Sequence, residues 1–412
     1  MLAFTFPGQG SQQPGMGSTW VDHPSWAIVE QASKASGRDV AQLLLDADAD
    51  ELRRTENAQL STYVLSLVVH DAVRSLGVRC HRAAGHSLGE YTALSATGAL
   101  ALEDGVRLVT ERGAAMQAAA DARPGTMAAV LGADDDVVAE ACARAAGDVW
   151  VANTNGAGQV VIAGDPDAIT EAGAIAKELG ARKVMPLPVG GAFHTPFMDA
   201  AAERLRAALD ATTFADAEVP VVANVDALPH QHADQWADLL AAQLTAQVRW
   251  RQTIERLVAD GITTFVELGP GSVLTGVAKR QAPDGTARAA ATPDALDAIV
   301  DAARAAGAVQ MRATPSPTAP TPSEPAAMPH HNDHHEGEHL FAPERLVVSP
   351  AAGVFTPVDG IAEGHEIEPG HVLGHVAGHE VRSAFRGTVK GLLAVAGERL
   401  THRQPVAWLR TA

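Results

Sequence analysis

Only two cysteines, Cys80 and Cys142, stand in the 412 residues of this chain. That is too few for a disulfide framework, and neither lies in a Cys-x-x-Cys pair of the kind that holds zinc or cycles a dithiol, so a reducing cytoplasm is the expected setting. Basic residues are outnumbered, 31 Lys and Arg against 49 Asp and Glu, for a net charge of -18. This balance argues against nucleic acid, because phosphate binding is driven by clustered Lys and Arg. No apolar run approaches the ~20 residues that cross a bilayer, so no membrane role is expected. Met1 to Gly8 lacks a basic leader and its apolar stretch breaks at Pro7, as in an initial strand rather than a signal peptide. What is present is a 46% hydrophobic fraction, enough for a large core. At roughly 100 to 200 residues per domain, the length suits two or three domains.

Ala3 to Phe6 reads as a buried parallel strand that stops at Pro7-Gly8-Gln9-Gly10, and a loop at the carboxyl end of a strand is where α/β proteins place ligands. Residues 58–76 carry apolar side chains at helical spacing and end at Gly77, a C-cap signal. From Gly125 to Val189 the pattern is strand 126–131, helix 135–145, strand 149–153, strand 159–163, helix 166–179 and strand 183–188. That βαββαβ order is ferredoxin-like. Ile262 to Leu268 reads as a further buried strand. The expected architecture is an α/β domain with a parallel sheet (1–123 and 190–308) that carries an inserted ferredoxin-like subdomain (124–189).

Residues 309–340, rich in Pro, Thr, Ala and Ser and then in His, have no periodicity that organises a core and read as a flexible linker. His330, His331, His334, His335 and His339 within it are taken as solvated filler, and no metal site is expected. In residues 341–412, Ser349-Pro-Ala-Ala-Gly-Val-Phe followed by Glu363-Gly-His-Glu-Ile is echoed by Ser383-Ala-Phe-Arg-Gly-Thr-Val followed by Ala396-Gly-Glu-Arg-Leu. Two such halves of short strands predict a small pseudo-symmetric β-sandwich.

The sharpest chemical signal is Gly85-His-Ser-Leu-Gly-Glu90, a G-x-S-x-G nucleophile elbow. Serine on a sharp strand-to-helix turn needs neighbours without Cβ, and the backbone N–H of Leu88 would then point from a helix N-terminus at a developing oxyanion. The Gly-rich turn after the first strand makes the N–H of Gln9 a second donor. Serine also needs a base, normally a histidine held by a third group. His194, in the loop after the strand that ends near Val189, is the best placed. His86 is a rival whose side chain is expected to leave the turn in another direction. The stretch Val78-Arg-Cys-His-Arg-Ala-Ala84 is polar for a buried strand, so Arg79, His81 and Arg82 are expected outside it.

Six motifs then occur in one order: Phe6-Pro-Gly-Gln-Gly-Ser-Gln12, Gly85 to Glu90, Glu111-Arg-Gly113 with Met116-Gln117, Asn153-Thr-Asn155 with Gln159 to Gly164, Ala192-Phe-His194 and Glu267-Leu-Gly-Pro-Gly271. Over about residues 1–305 the chain resembles the malonyl-CoA:acyl carrier protein transacylases and the acyltransferase domains of polyketide synthases. The resemblance implies malonyl-CoA as substrate and acyl carrier protein as acceptor. It makes Ser87 the nucleophile, His194 the base, Gln9 and Leu88 the oxyanion donors and Arg112 the partner of the malonyl carboxylate. It also implies a backbone carbonyl behind the histidine, with Gln243 at the matching position, and puts Asn155 near the entrance and Phe193 where a branched acyl group would be crowded. No cofactor is implied. The rival readings are an α/β serine hydrolase, which shares the elbow, and a carboxylase-related carrier, because residues 345–412 resemble a biotinyl/lipoyl attachment domain. Such domains present a lysine at the turn between their halves, where this chain has Ala377-Gly-His-Glu380, so neither biotin nor lipoate is expected and the tail's partner is left open.

Overall fold

A computed structural model describes residues 1–309, 344–358, 360–362, 364–394, 396–400 and 405–410, and the chain divides into two compact units, Met1–Pro317 and Thr318–Ala412. In the first unit the strands are β1 (Leu2–Phe6), β2 (Arg82–Gly85), β3 (Thr126–Leu131), β4 (Val149–Gly156), β5 (Gln159–Gly164), β6 (Lys183–Pro186), β7 (Val221–Val222), β8 (Pro229–His230), β9 (Thr264–Leu268) and β10 (Thr286–Ala290). A six-stranded sheet runs in the order β10-β9-β1-β2-β7-β8. All five residues of β1 are buried, as a central strand covered on both faces requires. Its pairings with β2 and β9 are parallel, as are those of β9 with β10 and of β2 with β7. Only β8, at one edge, runs antiparallel.

Several boundaries differ from the periodicity, β6 for instance ending at Pro186 rather than 188, and three have a clear local reason. The long central helix runs from Thr55 to Ser75, starting earlier than expected because Gln117, from a distant helix, accepts the Thr55 N–H at 3.1 Å. Strand β9 starts at Thr264, because Ile262 is used to close the preceding helix, its N–H donating to Leu257 O at 3.0 Å beyond the left-handed Gly261. Arg79 and His81 precede β2, but Arg82 lies inside it. Its side chain reaches the Asp260 carboxylate, Nε to Oδ2 3.1 Å, so that a charged residue is tolerated at the start of a central strand.

Strands β3 to β6 form a second, antiparallel sheet in the order β4-β5-β3-β6. With helices Asp135–Arg144 and Pro166–Glu178 they give a βαββαβ unit with its own core of Val130, Val138, Ile162 and Ile169. Strand β4 is longer than expected and runs on to Gly156. Its outer edge is tied to the main domain: Val248 N–H donates to Ala152 O at 2.9 Å, and Thr154 N–H to Val248 O at 3.0 Å.

Val309, the first residue of the expected linker, pairs with Val78. The rest of that stretch, including its five histidines, lies outside the described residues. In the second unit, β11 (Glu344–Val348), β12 (Gly353–Pro357), β13 (Glu366–Ile367), β14 (Val372–Val376), β15 (His379–Arg382), β16 (Gly387–Leu392), β17 (Arg399–Leu400) and β18 (Pro405–Arg410) form two four-stranded sheets, β11-β18-β16-β13 and β15-β14-β12-β17. The two orders interconvert when each strand is exchanged for its equivalent in the other half. The core repeats the echo, with Val347, Phe355 and Val376 matched by Val381, Val389 and Leu409. Ser349 Oγ donates to Ala351 O, and Ser383 Oγ donates to Phe385 O, each at 2.7 Å. Ala377 (φ 50°) and Gly378 (φ 82°) form the turn between β14 and β15.

Candidate active site

The carboxyl ends of β1 and β2 lie side by side, Phe6 paired with Gly85. This places the Gly-rich loop after β1 against the turn after β2. A Cβ at Gly85 would fall 1.8 Å from Gly89 O, and one at Gly89 would fall 2.1 Å from Phe6 O, so both glycines are required by close backbone approach. Ser87 between them has φ 53° and ψ -105° and stands as N-cap of helix Leu88–Ala96. Its backbone is gripped from both sides: its N–H donates to Asn224 Oδ1 at 2.7 Å, and its carbonyl accepts from Gln243 Nε2 at 2.8 Å. Asn224 also donates from Nδ2 to Gly85 O at 2.7 Å.

Ser87 Oγ is 2.8 Å from His194 Nε2. His194, itself at φ 61°, donates from Nδ1 to the backbone carbonyl of Gln243 at 2.9 Å, which leaves Nε2 as the bare acceptor that faces the serine. Burial, followed by the Arg112 charge, pushes the imidazole down to about 3, so it rests neutral.

Arg112 is fully buried on helix Leu102–Ala122. This helix packs closely on Thr55–Ser75, where a Cβ at Gly113 would fall 2.9 Å from Glu56 Cα. Its Nη2 donates to Ser87 Oγ at 3.1 Å and to Gln243 Oε1 at 3.0 Å, and Nη1 donates to Gln59 Oε1 at 2.7 Å. The guanidinium lies 5.3 Å from the centroid of the Tyr91 ring, and Nε has no partner. Every group it touches is neutral. A buried guanidinium so placed is able to receive an anion beside the serine hydroxyl.

A cavity of about 150 Å³ opens over this pair, lined among others by Gln9, His86, Ser87, Asn155, Phe193 and His194. Leu88 is the first residue of its helix, where backbone N–H groups lack intrahelical acceptors. The eight residues singled out in the sequence thus come together: Gln9, Ser87, Asn155, Phe193 and His194 on the cavity wall, and Leu88, Arg112 and Gln243 directly behind it. His86 leaves the turn in another direction from Ser87, as expected, and makes no hydrogen bond to its hydroxyl. It lines the cavity, with Nε2 2.8 Å from Asn155 Oδ1 and its ring against Trp250. Gln59, Glu90 and Asn224 were not anticipated. Asn224 follows β7 at the ligand-binding end of the sheet, and that position was the available clue. No group of metal-ligating side chains occurs among the described residues.

Residues 3–312 match the model of the acyl transferase domain. The malonyl CoA-acyl carrier protein transacylase of Escherichia coli K12 is 40% identical over 307 residues, 73% of this chain and 99% of that protein. The crystal structure of malonyl-CoA:acyl carrier protein transacylase from Xanthomonas oryzae pv. oryzae is 42% identical, covers 73% of this chain and 98% of its own, and superposes with a TM-score of 0.71. A structure of a type II polyketide acyl-carrier protein in complex with its malonyl-transacylase matches at 34% identity and TM-score 0.71, over 73% of this chain and 99% of that one. With its Ser-His pair, its buried arginine and relatives matched over nearly their whole length, the chain belongs to the acyl transferase domain family.

Proposed function

We propose that this protein transfers a malonyl group from malonyl-CoA to the phosphopantetheine thiol of an acyl carrier protein through an ester on Ser87. One observation carries the reading: Arg112 Nη2 stands 3.1 Å from the Ser87 oxygen with no carboxylate among its hydrogen-bond partners. An acyl group with a free carboxylate satisfies that cation while its thioester carbonyl meets the serine.

In the first half-reaction Ser87 Oγ attacks the thioester carbon, and its proton passes to His194 Nε2. The Gln243 carbonyl holds the ring in register. The N–H groups of Gln9 and Leu88 would stabilise the oxyanion. The tetrahedral adduct collapses, the C–S bond breaks, and His194 returns the proton to the departing coenzyme A sulfur. The carrier thiol then repeats the sequence in reverse, giving its proton to His194 and regenerating Ser87. Every proton and electron pair is accounted for without a cofactor, and none is proposed. Fatty acid or polyketide synthesis in a reducing cytoplasm is the setting that suits this reaction.

For the second unit we propose a relationship to biotinyl/lipoyl attachment domains, supported by the two interchangeable four-stranded sheets. The Ala377-Gly378 turn occupies the place of the modified lysine. The module is read as an unmodified accessory.

Intact-mass analysis after mixing with malonyl-CoA tests the main reading. A malonyl adduct on Ser87 that persists until a thiol acceptor is added is expected. Rapid discharge in water would identify a hydrolase instead.

A further inference from the structure

Glu90, in the first turn of the helix behind Ser87, is fully buried. Its Oε2 accepts from Gln243 Nε2 at 2.7 Å and from the Asn224 N–H at 3.3 Å, and Oε1 has no donor at all. The two donors are the residues that grip the Ser87 backbone, and one of them also supplies the carbonyl behind His194. Both are neutral amides, although a fully positive guanidinium is close by. The ionisable groups that face Glu90 are Arg112 from helix Leu102–Ala122, Asp226 from the loop after β7, and its own neighbour Tyr91. Arg112 spends its hydrogen bonds on Gln59, Gln243 and Ser87 and makes none to Glu90. A buried carboxylate with one bare oxygen and no direct cation is costly, and the neutral acid is far less so.

We propose that Glu90 works as the neutral acid, a positioning residue that sets Gln243 and Asn224 around Ser87 while leaving the Arg112 charge free for the substrate carboxylate. The proposal rests on the malonyl-transfer reading. Burial pushes the Glu90 carboxyl up to about 8, which agrees with it. Once the proton leaves, the new negative charge offsets Arg112. Affinity for malonyl-CoA then falls, whereas acetyl-CoA, which brings no carboxylate, is little affected.

The test compares wild type with Glu90→Gln and Glu90→Ala, reading Ser87 loading by malonyl-CoA and acetyl-CoA across pH, with infrared spectra of wild type and Glu90→Gln at pH 7. The isosteric amide should load malonyl within about threefold of wild type, because the reacting groups keep their contacts. Alanine should lose on the order of 10²-fold, as ångström-scale misplacement of reacting groups does. The malonyl-to-acetyl ratio of kcat/KM should fall above pH about 8 in wild type and stay level in Glu90→Gln. The wild-type spectrum should carry a carboxylic-acid carbonyl band that Glu90→Gln removes. A Glu90→Gln variant that is unfolded or as impaired as Glu90→Ala, a missing band, or the same pH dependence in both proteins overturns the proposal. A wild type that takes up no malonyl group rejects the transfer reading instead, and the infrared band still decides the state of Glu90.

Discussion

The Nδ1–H of His194 is accepted by the backbone carbonyl of Gln243 at 2.9 Å, in the place where many serine enzymes set a carboxylate. No negative charge therefore stands behind the imidazole, and a positive one, Arg112, stands beside it. Burial and that charge hold His194 at about 3. Loading of Ser87 should accordingly show no acid limb at the ordinary histidine value of about 6.5. In Arg112→Met the limb should move upward, though only part of the way, because burial is the larger cause. Burst-phase loading followed from pH 8 down to about 3 measures both. The same lowered value makes the unfolded chain the better proton acceptor between about 6.5 and 3, so this residue's contribution to stability is lost as pH falls through that window.

Ser87→Ala should give no malonyl adduct by intact mass while its melting temperature stays close to wild type, because the substitution keeps the two backbone hydrogen bonds that hold the turn. His194→Ala should slow transfer by about 10²- to 10⁴-fold, the usual worth of a positioned acid-base group. Normal rates in either variant would reject the pair.

Arg112→Ala should lower kcat/KM for malonyl-CoA and narrow the preference over acetyl-CoA, at a cost of about 1.5–3 kcal/mol for a lost hydrogen bond to a charged group. Rejection of methylmalonyl rests on shape. The Phe193 ring is backed by Gly191, whose Cβ position lies 2.8 Å from it, so it has little room to yield. A single methyl is worth only about 1 to 3 kcal/mol, and this preference should be the weaker of the two. Competition assays with the three thioesters separate these effects.

Gly89→Ala drives a methyl group into backbone, 2.1 Å from Phe6 O. Overpacking of this kind costs about 1–3 kcal/mol even where side chains can move aside, and here the obstacle is main chain. Thermal denaturation should show a clear loss of stability, and the adduct should disappear with the turn.

A chain ending at Val309 should transfer malonyl to free carrier protein at the rate of the full chain, since the family match ends at residue 312. Mass spectrometry of the native protein should find no biotinyl or lipoyl group on Lys390, which lies within β16 and away from the β14–β15 turn.

Ser87 and His194 were legible because each sits in a short local pattern whose glycines or loop position have a mechanical purpose, whereas Arg112, in the interior of a helix, was legible only through the resemblance of its motif. The inserted βαββαβ unit was legible because strand and helix periods alternate cleanly from Thr126 onward. Gln59, Glu90 and Asn224 were not, because they come from a helix, a helix and a strand end far apart in the chain, and only the packed sheet brings them together. Glu90 stood within a quoted motif, yet nothing in a sequence tells whether a glutamate at a helix start faces water or core. Arg82 misled for a related reason: its counter-charge, Asp260, is distant in the chain.

The two hydrogen bonds between Val248 and β4 join the wall of the cavity to the segment that holds His194. Asn155 lies on that strand, and the Gln243 carbonyl precedes Val248 by one short turn. A change that shifts β4 to admit a bulkier acyl chain pulls on the segment that aims His194, so substrate range and proton transfer are mechanically inherited together. Broadening the first without blunting the second calls for compensating substitutions on both sides of that seam.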